Sequence, residues 1–120
     1  MALPERQPSN EVVVNSPAMA DIGTAGSVYA AAPCTGNLVR AYSCIQSAPT
    51  GSDCTWTMEV NGVAVTGTAT IAVSGSAAGD VDEVVFSSPV RVNKGDTLEW
   101  ISAGESSSTV IGQFAAVIRT

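Results

Sequence analysis

Apolar and polar side chains alternate over most of this chain, in short runs separated by glycine, proline, asparagine and serine. Successive side chains of a strand point to opposite faces, so a two-residue period predicts β-strands. No run keeps a 3.6-residue period over about ten residues, and helices are therefore not expected. The run 37–46 shows the alternation well, with Leu38, Arg40, Tyr42, Cys44 and Gln46 on one face and Val39, Ala41, Ser43 and Ile45 on the other.

Turn signals between the runs indicate how the strands are connected. Asn61-Gly62 is the dipeptide that a two-residue hairpin turn favours, because both positions adopt positive φ. Asn93-Lys94-Gly95-Asp96 predicts a second tight turn, and Gly67 predicts a bulge or kink within its strand. Residues 27–120 then contain about eight strands, which predicts an all-β fold, an antiparallel β-sandwich or jelly roll.

The N-terminal residues 1–26 differ from the rest of the chain. They contain three of the six prolines, and their only apolar cluster is Val12-Val13-Val14. Such a segment has too few apolar side chains to bury a core of its own. We therefore predict an extended N-terminal arm over 1–26, in which the valine triplet can add as a short strand, and a β-sandwich domain over 27–120.

Charge and composition exclude several kinds of function. Five basic and eleven acidic residues give a net charge of -6, so the chain lacks the positive surface that nucleic-acid binding requires. There is no histidine, which excludes catalytic triads with a histidine base and histidine-bound metals. No stretch reaches the roughly 18 apolar residues of a membrane span, and the N-terminus does not resemble a secretory signal.

The carboxylates offer little chemistry. Asp80, Asp82 and Glu83 lie close enough to hold Ca²⁺, but they lack the spacing of a calcium-binding loop, so a solvated acidic turn is the favoured interpretation. Glu59 and Glu99 have no evident partner, and alternation places both away from the tryptophans, facing solvent. We therefore predict no catalytic residues, no metal ligands and no cofactor, and we expect that the protein is not an enzyme.

The cysteines and tryptophans each allow two interpretations. Cys34, Cys44 and Cys54 have spacings of ten residues, which match no zinc pattern. Buried thiols are the default for a chain made in a reducing cytoplasm, although Cys44 and Cys54 flank one connection and could pair in an oxidising medium. Trp56 and Trp100 are interpreted as anchors of the core or of an interface, with a sugar-binding platform as the alternative.

The surface is expected to carry few charges. Only 13% of residues are charged, and serine, threonine and alanine take their place. Such a surface tolerates burial in an interface, because few charges must be desolvated. The last strand, 111–118, is apolar on both faces in places, so one face can pack the core while the other packs a neighbouring subunit. This predicts a homo-oligomer, and we expect a trimer.

Two stretches carry a resemblance to known families. The stretch 92–100, with its Lys94-Gly95-Asp96 turn before a strand, is followed by a serine-rich loop and a closing Gly-Gln-Phe-Ala strand. This arrangement resembles the end of the trimeric jelly rolls related to tumour necrosis factor. The stretch 61–79 resembles small β-rich structural proteins of tailed-phage virions, of which head decoration (cement) proteins and head fibres are the nearest types. The resemblance covers roughly residues 27–120.

The resemblance implies a function of binding alone. A decoration protein of this type would bind the major capsid protein through its N-terminal arm and the base of the sandwich. It would stabilise the shell as a homotrimer and be located on the capsid surface after synthesis in the host cytoplasm. The alternative is a receptor- or carbohydrate-binding knob of a phage fibre or spike. The predicted partner-binding residues are Arg6, Val12, Val13 and Val14 of the arm and Phe114 of the last strand.

Overall fold

The computed structural model describes residues 10–120 as a β structure. No helix suited to crossing a membrane occurs in these residues. Their eight strands are β1 (Glu11–Asn15), β2 (Gly26–Ala31), β3 (Gly36–Ile45), β4 (Cys54–Val60), β5 (Val63–Ile71), β6 (Val81–Val92), β7 (Thr97–Ser102) and β8 (Gly112–Arg119).

The strands form two four-stranded antiparallel sheets that pack face to face around one core. One sheet has the order β1-β8-β3-β6 and the other the order β2-β7-β4-β5. Strands that are adjacent in space are mostly distant in sequence, because the chain crosses repeatedly from one sheet to the other, as in a jelly roll. The predicted antiparallel β-sandwich is confirmed.

Alternate side chains of both sheets fill the space between them. Trp56 of β4 and Trp100 of β7 come from one sheet and Phe114 of β8 from the other, and none is more than 1% exposed. The Phe114 ring meets Trp56 edge-on at a centroid distance of 5.1 Å and is stacked with Trp100 at 6.4 Å. Both arrangements are favourable for aromatic pairs. The tryptophans are therefore core anchors and not an exposed platform.

Two predicted backbone features are present. Asn61 and Gly62 have φ values of 51° and 80°, the positive values that a two-residue hairpin turn of this type needs. Opposite Gly67, which has a φ of 142°, the register between β4 and β5 shifts between Trp56 and Met58. The glycine therefore lies in a bulge of β5, and β5 continues on both sides of it.

A second bulge corrects the predicted pattern of β3. The register of β3 shifts between Leu38 and Arg40 relative to both neighbouring strands. Leu38 and Ala41 are buried in the core, whereas Arg40 and Tyr42 are half-buried and belong to the outer face. Strict alternation placed Leu38 and Arg40 on the same face. The extra residue, Val39, changes the phase of the alternation by one position.

Residues 10–26 run along the sandwich. β1 pairs with β8 over its whole length, and the following Met19 and Ile22 are buried in the core. The part of the predicted arm that the structure describes thus contributes one strand and two core side chains to the sandwich. The remainder of the predicted arm, with Arg6, lies outside the described residues.

The connections divide between two ends of the sandwich. The end that we call basal has the short turns 32–35, 61–62 and 93–96, together with Asn10 and Thr120. There, the Thr120 amide donates a 2.8 Å hydrogen bond to the Asn10 carbonyl. The opposite end, which we call apical, has the longer loops 16–25, 46–53, 72–80 and 103–111.

Candidate functional site: the two outer faces of the sandwich

The outer face of the β1-β8-β3-β6 sheet carries three exposed valines. Val13 of β1 lies beside Val117 of β8, which is followed by Arg40 of β3 and Val85 of β6. Val13 is 58% exposed and Val85 66%, and Val81, two rows further, is 59% exposed. Exposed apolar side chains that cluster mark interaction surfaces, whereas scattered ones do not. We call this surface the valine face; its exposed valines are Val13, Val81 and Val85, and polar side chains such as Arg40 and Tyr42 lie between them.

Charged side chains tie three strands together at the edge of the valine face. The Glu11 carboxylate lies 2.6 Å from Nη2 of Arg40 and 2.6 Å from Nη2 of Arg119. The hydrogen bonds from Arg119 and from Arg40 lower the pKa of Glu11 below its ordinary value. Arg40 Nε also donates a 2.9 Å hydrogen bond to Oη of Tyr42. This chain of contacts holds the Tyr42 ring in one orientation on the outer face.

Beside Tyr42 the valine face contains a shallow hollow of about 270 Å³. Ala115 lies between Asn15 and Tyr42 in register, and its small side chain leaves the space open. Gln113 Nε2 donates a 2.9 Å hydrogen bond to the Ser16 carbonyl, which positions one wall. The hollow has room for a side chain of a partner; the residues around it include Asn15, Tyr42, Cys44, Val81, Gln113 and Ala115.

The outer face of the β2-β7-β4-β5 sheet is polar. Thr57 lies beside Ile101, and Thr55 lies beside Thr70. Among the large apolar and aromatic side chains of this face only Tyr29, at 56%, is exposed. Hydroxyl side chains remain hydrated on such a surface and need no partner. We call it the threonine face; it consists of Ser27, Tyr29, Thr55, Thr57, Glu59, Thr70, Thr97, Glu99 and Ile101.

Two carboxylates meet on the threonine face. Glu59 of β4 is directly opposite Glu99 of β7, and Tyr29 of β2 is the next neighbour of Glu99. The expectation that neither glutamate has a partner is wrong, since the register of β4 on β7 pairs them. Glu99, as a hydrogen-bond acceptor and a negative charge, raises the pKa of Tyr29. The two carboxylates lie on an open sheet surface, where directly opposed like charges are destabilising.

The predicted valine triplet is divided between two environments. Val13 is exposed on the valine face, Val12 is half-buried, and Val14 is buried in the core. All three belong to β1, which pairs with β8 on one side. In the described part of the chain β1 is the outermost strand of its sheet, so its second backbone edge has no neighbouring strand there.

Phe114 has a different environment from the one that was predicted for it. Its ring is 1% exposed and lies between Trp56 and Trp100, so it stabilises the core and is not available to a partner. The prediction had one face of the last strand packing the core and the other packing a neighbouring subunit, and it assigned Phe114 to partner binding. The register of β8 directs Phe114 inward and Ala115 outward, and Val117, on the same side as Ala115, is only 3% exposed.

The acidic turn and the cysteines form no cluster suited to a metal ion in residues 10–120. Burial, and then the charge of Asp80, raises the pKa of Asp82. Cys44 lies beside the hollow, whereas Cys54 is fully buried on the other sheet, and neither is in a disulfide. Burial raises the pKa of the Cys54 thiol, which keeps it protonated and a poor nucleophile.

Comparisons with known proteins identify the fold. No family model matches the sequence, and no curated protein matches it. Among solved structures, a chain of the cyanophage Pam1 capsid asymmetric unit is similar with a TM-score of 0.52 and 15% identity, over 99% of this chain and 91% of that one. A family 35 carbohydrate-binding module from Clostridium thermocellum has a TM-score of 0.52 and 14% identity, over 91% of this chain and 98% of that one.

A third similar structure is part of a much larger protein. The catalytic unit of the GH87 alpha-1,3-glucanase from Streptomyces thermodiastaticus strain HF3-3 has a TM-score of 0.51 and 14% identity, over 92% of this chain, which spans only 26% of that one. At such low identity these likenesses establish the fold alone. They confirm a jelly-roll sandwich, a fold that occurs in a phage capsid and in carbohydrate-binding modules.

Proposed function

We propose that this chain is a virion structural protein that decorates the outer capsid of a tailed phage as a homo-oligomer, most simply a trimer. The observation that carries the proposal is the contrast between the two outer faces. Val13, Val81 and Val85 are each more than half exposed on one face, whereas the other presents mainly hydroxyl groups. Three large apolar side chains exposed on one face favour its burial against another protein.

In this proposal the valine face packs against neighbouring copies of the chain. Its exposed valines need little desolvation, and the polar side chains between them, with Arg40 paired to Glu11, can form hydrogen bonds with the adjacent copy. The hollow beside Tyr42 can receive a side chain from the adjacent copy. The threonine face then points toward solvent, where its hydroxyl groups keep the assembled particle soluble.

The outer edge of β1 supplies the attachment to the capsid. The Ser16 amide donates to the Phe114 carbonyl at 2.8 Å, and the Thr120 amide donates to the Asn10 carbonyl at 2.8 Å. Because the bonds of an antiparallel pair recur at every second residue, Val12 and Val14 direct their backbone groups to β8. The backbone groups of Glu11, Val13 and Asn15 therefore point away from the sheet, toward any strand that a capsid subunit adds.

Capsid binding is tested by co-sedimentation with shells assembled from the major capsid protein encoded in the same genome. The proposal expects saturable binding with a fixed number of copies per lattice site, and light scattering of the free chain is expected to show an oligomer. Deleting residues 2–9 leaves β1 intact and tests whether the segment before it contributes to occupancy. Absence of binding to the shells, or a monomer of 12.1 kDa at all concentrations, would contradict the proposal.

The edge of β1 has a test of its own. Val13→Pro removes the one amide that Val13 directs away from β8, and proline is tolerated on edge strands. The matched variant Val13→Ala shortens the same side chain but keeps the amide. We expect Val13→Pro to reduce capsid occupancy far more than Val13→Ala, with similar melting temperatures for both. Equal occupancy would rule out strand addition at this edge.

A second candidate function is a carbohydrate-binding knob of a phage fibre or spike. It is favoured by Tyr29, an exposed ring on the threonine face beside the carboxylates of Glu99 and Glu59, since sugars stack on aromatic rings and donate hydroxyl hydrogen bonds to carboxylates. A glycan array distinguishes the two functions. Binding that Tyr29→Ala abolishes would support the knob, and binding to capsid shells without glycan binding would support decoration.

A further inference from the structure

The charged side chains are distributed unevenly between the two ends of the sandwich. At the basal end, Arg119 of β8 and Arg91 of β6 flank Asn37 of β3 in one row. Strands are about 4.8 Å apart, so the backbones of the two arginines are about 10 Å apart. Lys94 lies at the same end of the sandwich, because its amide donates a 3.0 Å hydrogen bond to the Thr35 side chain, next to the start of β3. Three exposed cations thus share this end.

The apical end has the opposite character. The four apical loops contain no lysine or arginine, and each contains one carboxylate. The Asp21 carboxylate accepts hydrogen bonds from backbone amides of its own loop and of a neighbouring loop. None of the ion pairs among the described residues involves Asp21. The apical carboxylates are Asp21, Asp53, Asp80 and Glu105.

Two carboxylates that lie close to these basal cations are held by contacts within the chain. Glu11 is shared between Arg40 and Arg119 at 2.6 Å each. Asp96 accepts a 2.8 Å hydrogen bond from the Asn93 amide within the β6–β7 turn. Arg91 and Lys94 are therefore cations without an ion pair among the described residues, although the chain as a whole has a net charge of -6.

We infer that the basal end is the surface that meets the capsid, and that it binds a patch rich in aspartate and glutamate on the capsid subunits. This inference rests on the proposed decoration function and specifies its orientation. The exposed cations fit such a patch, and the predicted arm joins the sandwich at Asn10, at this same end. A further cation, Arg6, belongs to that arm. The acidic apical end faces outward, where it repels the apical ends of neighbouring copies.

The test compares two double variants that change the net charge equally. Arg91→Gln with Lys94→Gln removes two charges from the basal end, whereas Ser74→Glu with Ala78→Glu adds two negative charges to an exposed apical loop. Binding of each to capsid shells is measured at low and at high salt, and the melting temperatures serve as the control for folding. An exposed ion pair contributes a factor of a few to binding, so the basal variant should bind roughly tenfold more weakly at low salt.

The apical variant is expected to bind within about twofold of the unmodified chain, and the difference between the variants should shrink at high salt, because salt screens exposed charges. Equal weakening by both variants would mean that net charge alone matters, which overturns the inference and leaves decoration intact. No weakening by the basal variant overturns it too. If the unmodified chain fails to bind shells, or binds duplex DNA instead, both the decoration function and the inference fail.

Discussion

The valine face and the threonine face are built from the same kind of strand, yet they carry opposite side chains. Both sheets direct large residues inward, and the outward positions alone distinguish them. At those positions one sheet has Val13, Val81 and Val85, and the other has Thr55, Thr57 and Thr70. Valine and threonine have similar shapes and similar strand preferences. The two faces therefore differ mainly in how favourably they interact with water. The inward residues that form the fold and the outward residues that form a surface can thus vary independently.

The largest expected effect is on the stability of the core, to which neither outer face contributes. Phe114→Ala removes a ring from between two tryptophans and should lower the free energy of unfolding by about 3–5 kcal/mol. Gln113→Ala, on the outer side of the same strand, should cost far less. Chemical denaturation measures both. A loss below about 1 kcal/mol for Phe114→Ala would mean that the core does not depend on this ring.

The next effect contrasts the two faces directly. Val13→Glu with Val81→Glu places two carboxylates on the valine face. Self-association should weaken by roughly a hundredfold, since these charges would be buried in the interface without a partner. Thr70→Glu with Thr97→Glu makes the equivalent change on the threonine face and should leave the oligomer intact. Analytical ultracentrifugation of both variants gives the comparison, and equal weakening would remove the distinction between the faces.

A smaller effect concerns acid stability. The folded-state pKa of Glu11 lies below its ordinary value of 4.5, because Arg119 and Arg40 bind the ionised form. Its contribution to stability is thus fully present above that ordinary value and is lost as the pH falls through the folded-state value. In thermal melts recorded from neutral to acid pH, the melting temperature of Glu11→Gln should fall less steeply than that of the unmodified chain.

The control for the acid melts is Glu105→Gln, in an exposed apical loop without an ion pair in the described structure. This variant should follow the unmodified chain. The melting temperature of Glu11→Gln should still fall to some extent at acid pH. The backbone hydrogen bond from Val110 lowers the pKa of Asp21, and the one from Asn93 lowers the pKa of Asp96. Identical slopes for all three proteins would show that the Glu11 ion pairs do not affect folding.

The smallest effect tests the threonine face. Glu99→Gln removes one of two carboxylates that lie directly opposite each other, and cross-strand like charges are destabilising. The variant should therefore be more stable than the unmodified chain, by a few tenths of a kcal/mol. A measurable loss of stability would indicate instead that the contact of Glu99 with Tyr29 outweighs the repulsion from Glu59.

Local sequence signals predicted much of the fold. Alternation identified the strands, and the preference of Asn61-Gly62 for positive φ identified its hairpin. These features depend on residues that are close together in the chain. The faces on which the side chains of β3 lie after Leu38 were not predictable in the same way. They depend on the bulge at Val39, which arises from the pairing of β3 with the two strands that flank it.

The outer faces were only partly predictable. The apolar character of the last strand indicated an interaction surface, but the sequence did not reveal which of its faces was exposed, and Phe114 was assigned to the wrong one. Glu59 and Glu99 are forty positions apart, and only the pairing of β4 with β7 brings them together. Contacts of this kind depend on topology, which a two-residue period does not specify.

The bulge at Gly67 lies where edge strands of the two sheets come close to each other. β5 is an edge strand of one sheet and β6 of the other. Any side chain at position 67 would approach Val84 Cγ2 of β6 to 2.9 Å at its first carbon. Glycine at this position therefore sets how closely the two sheets can approach along this side of the sandwich.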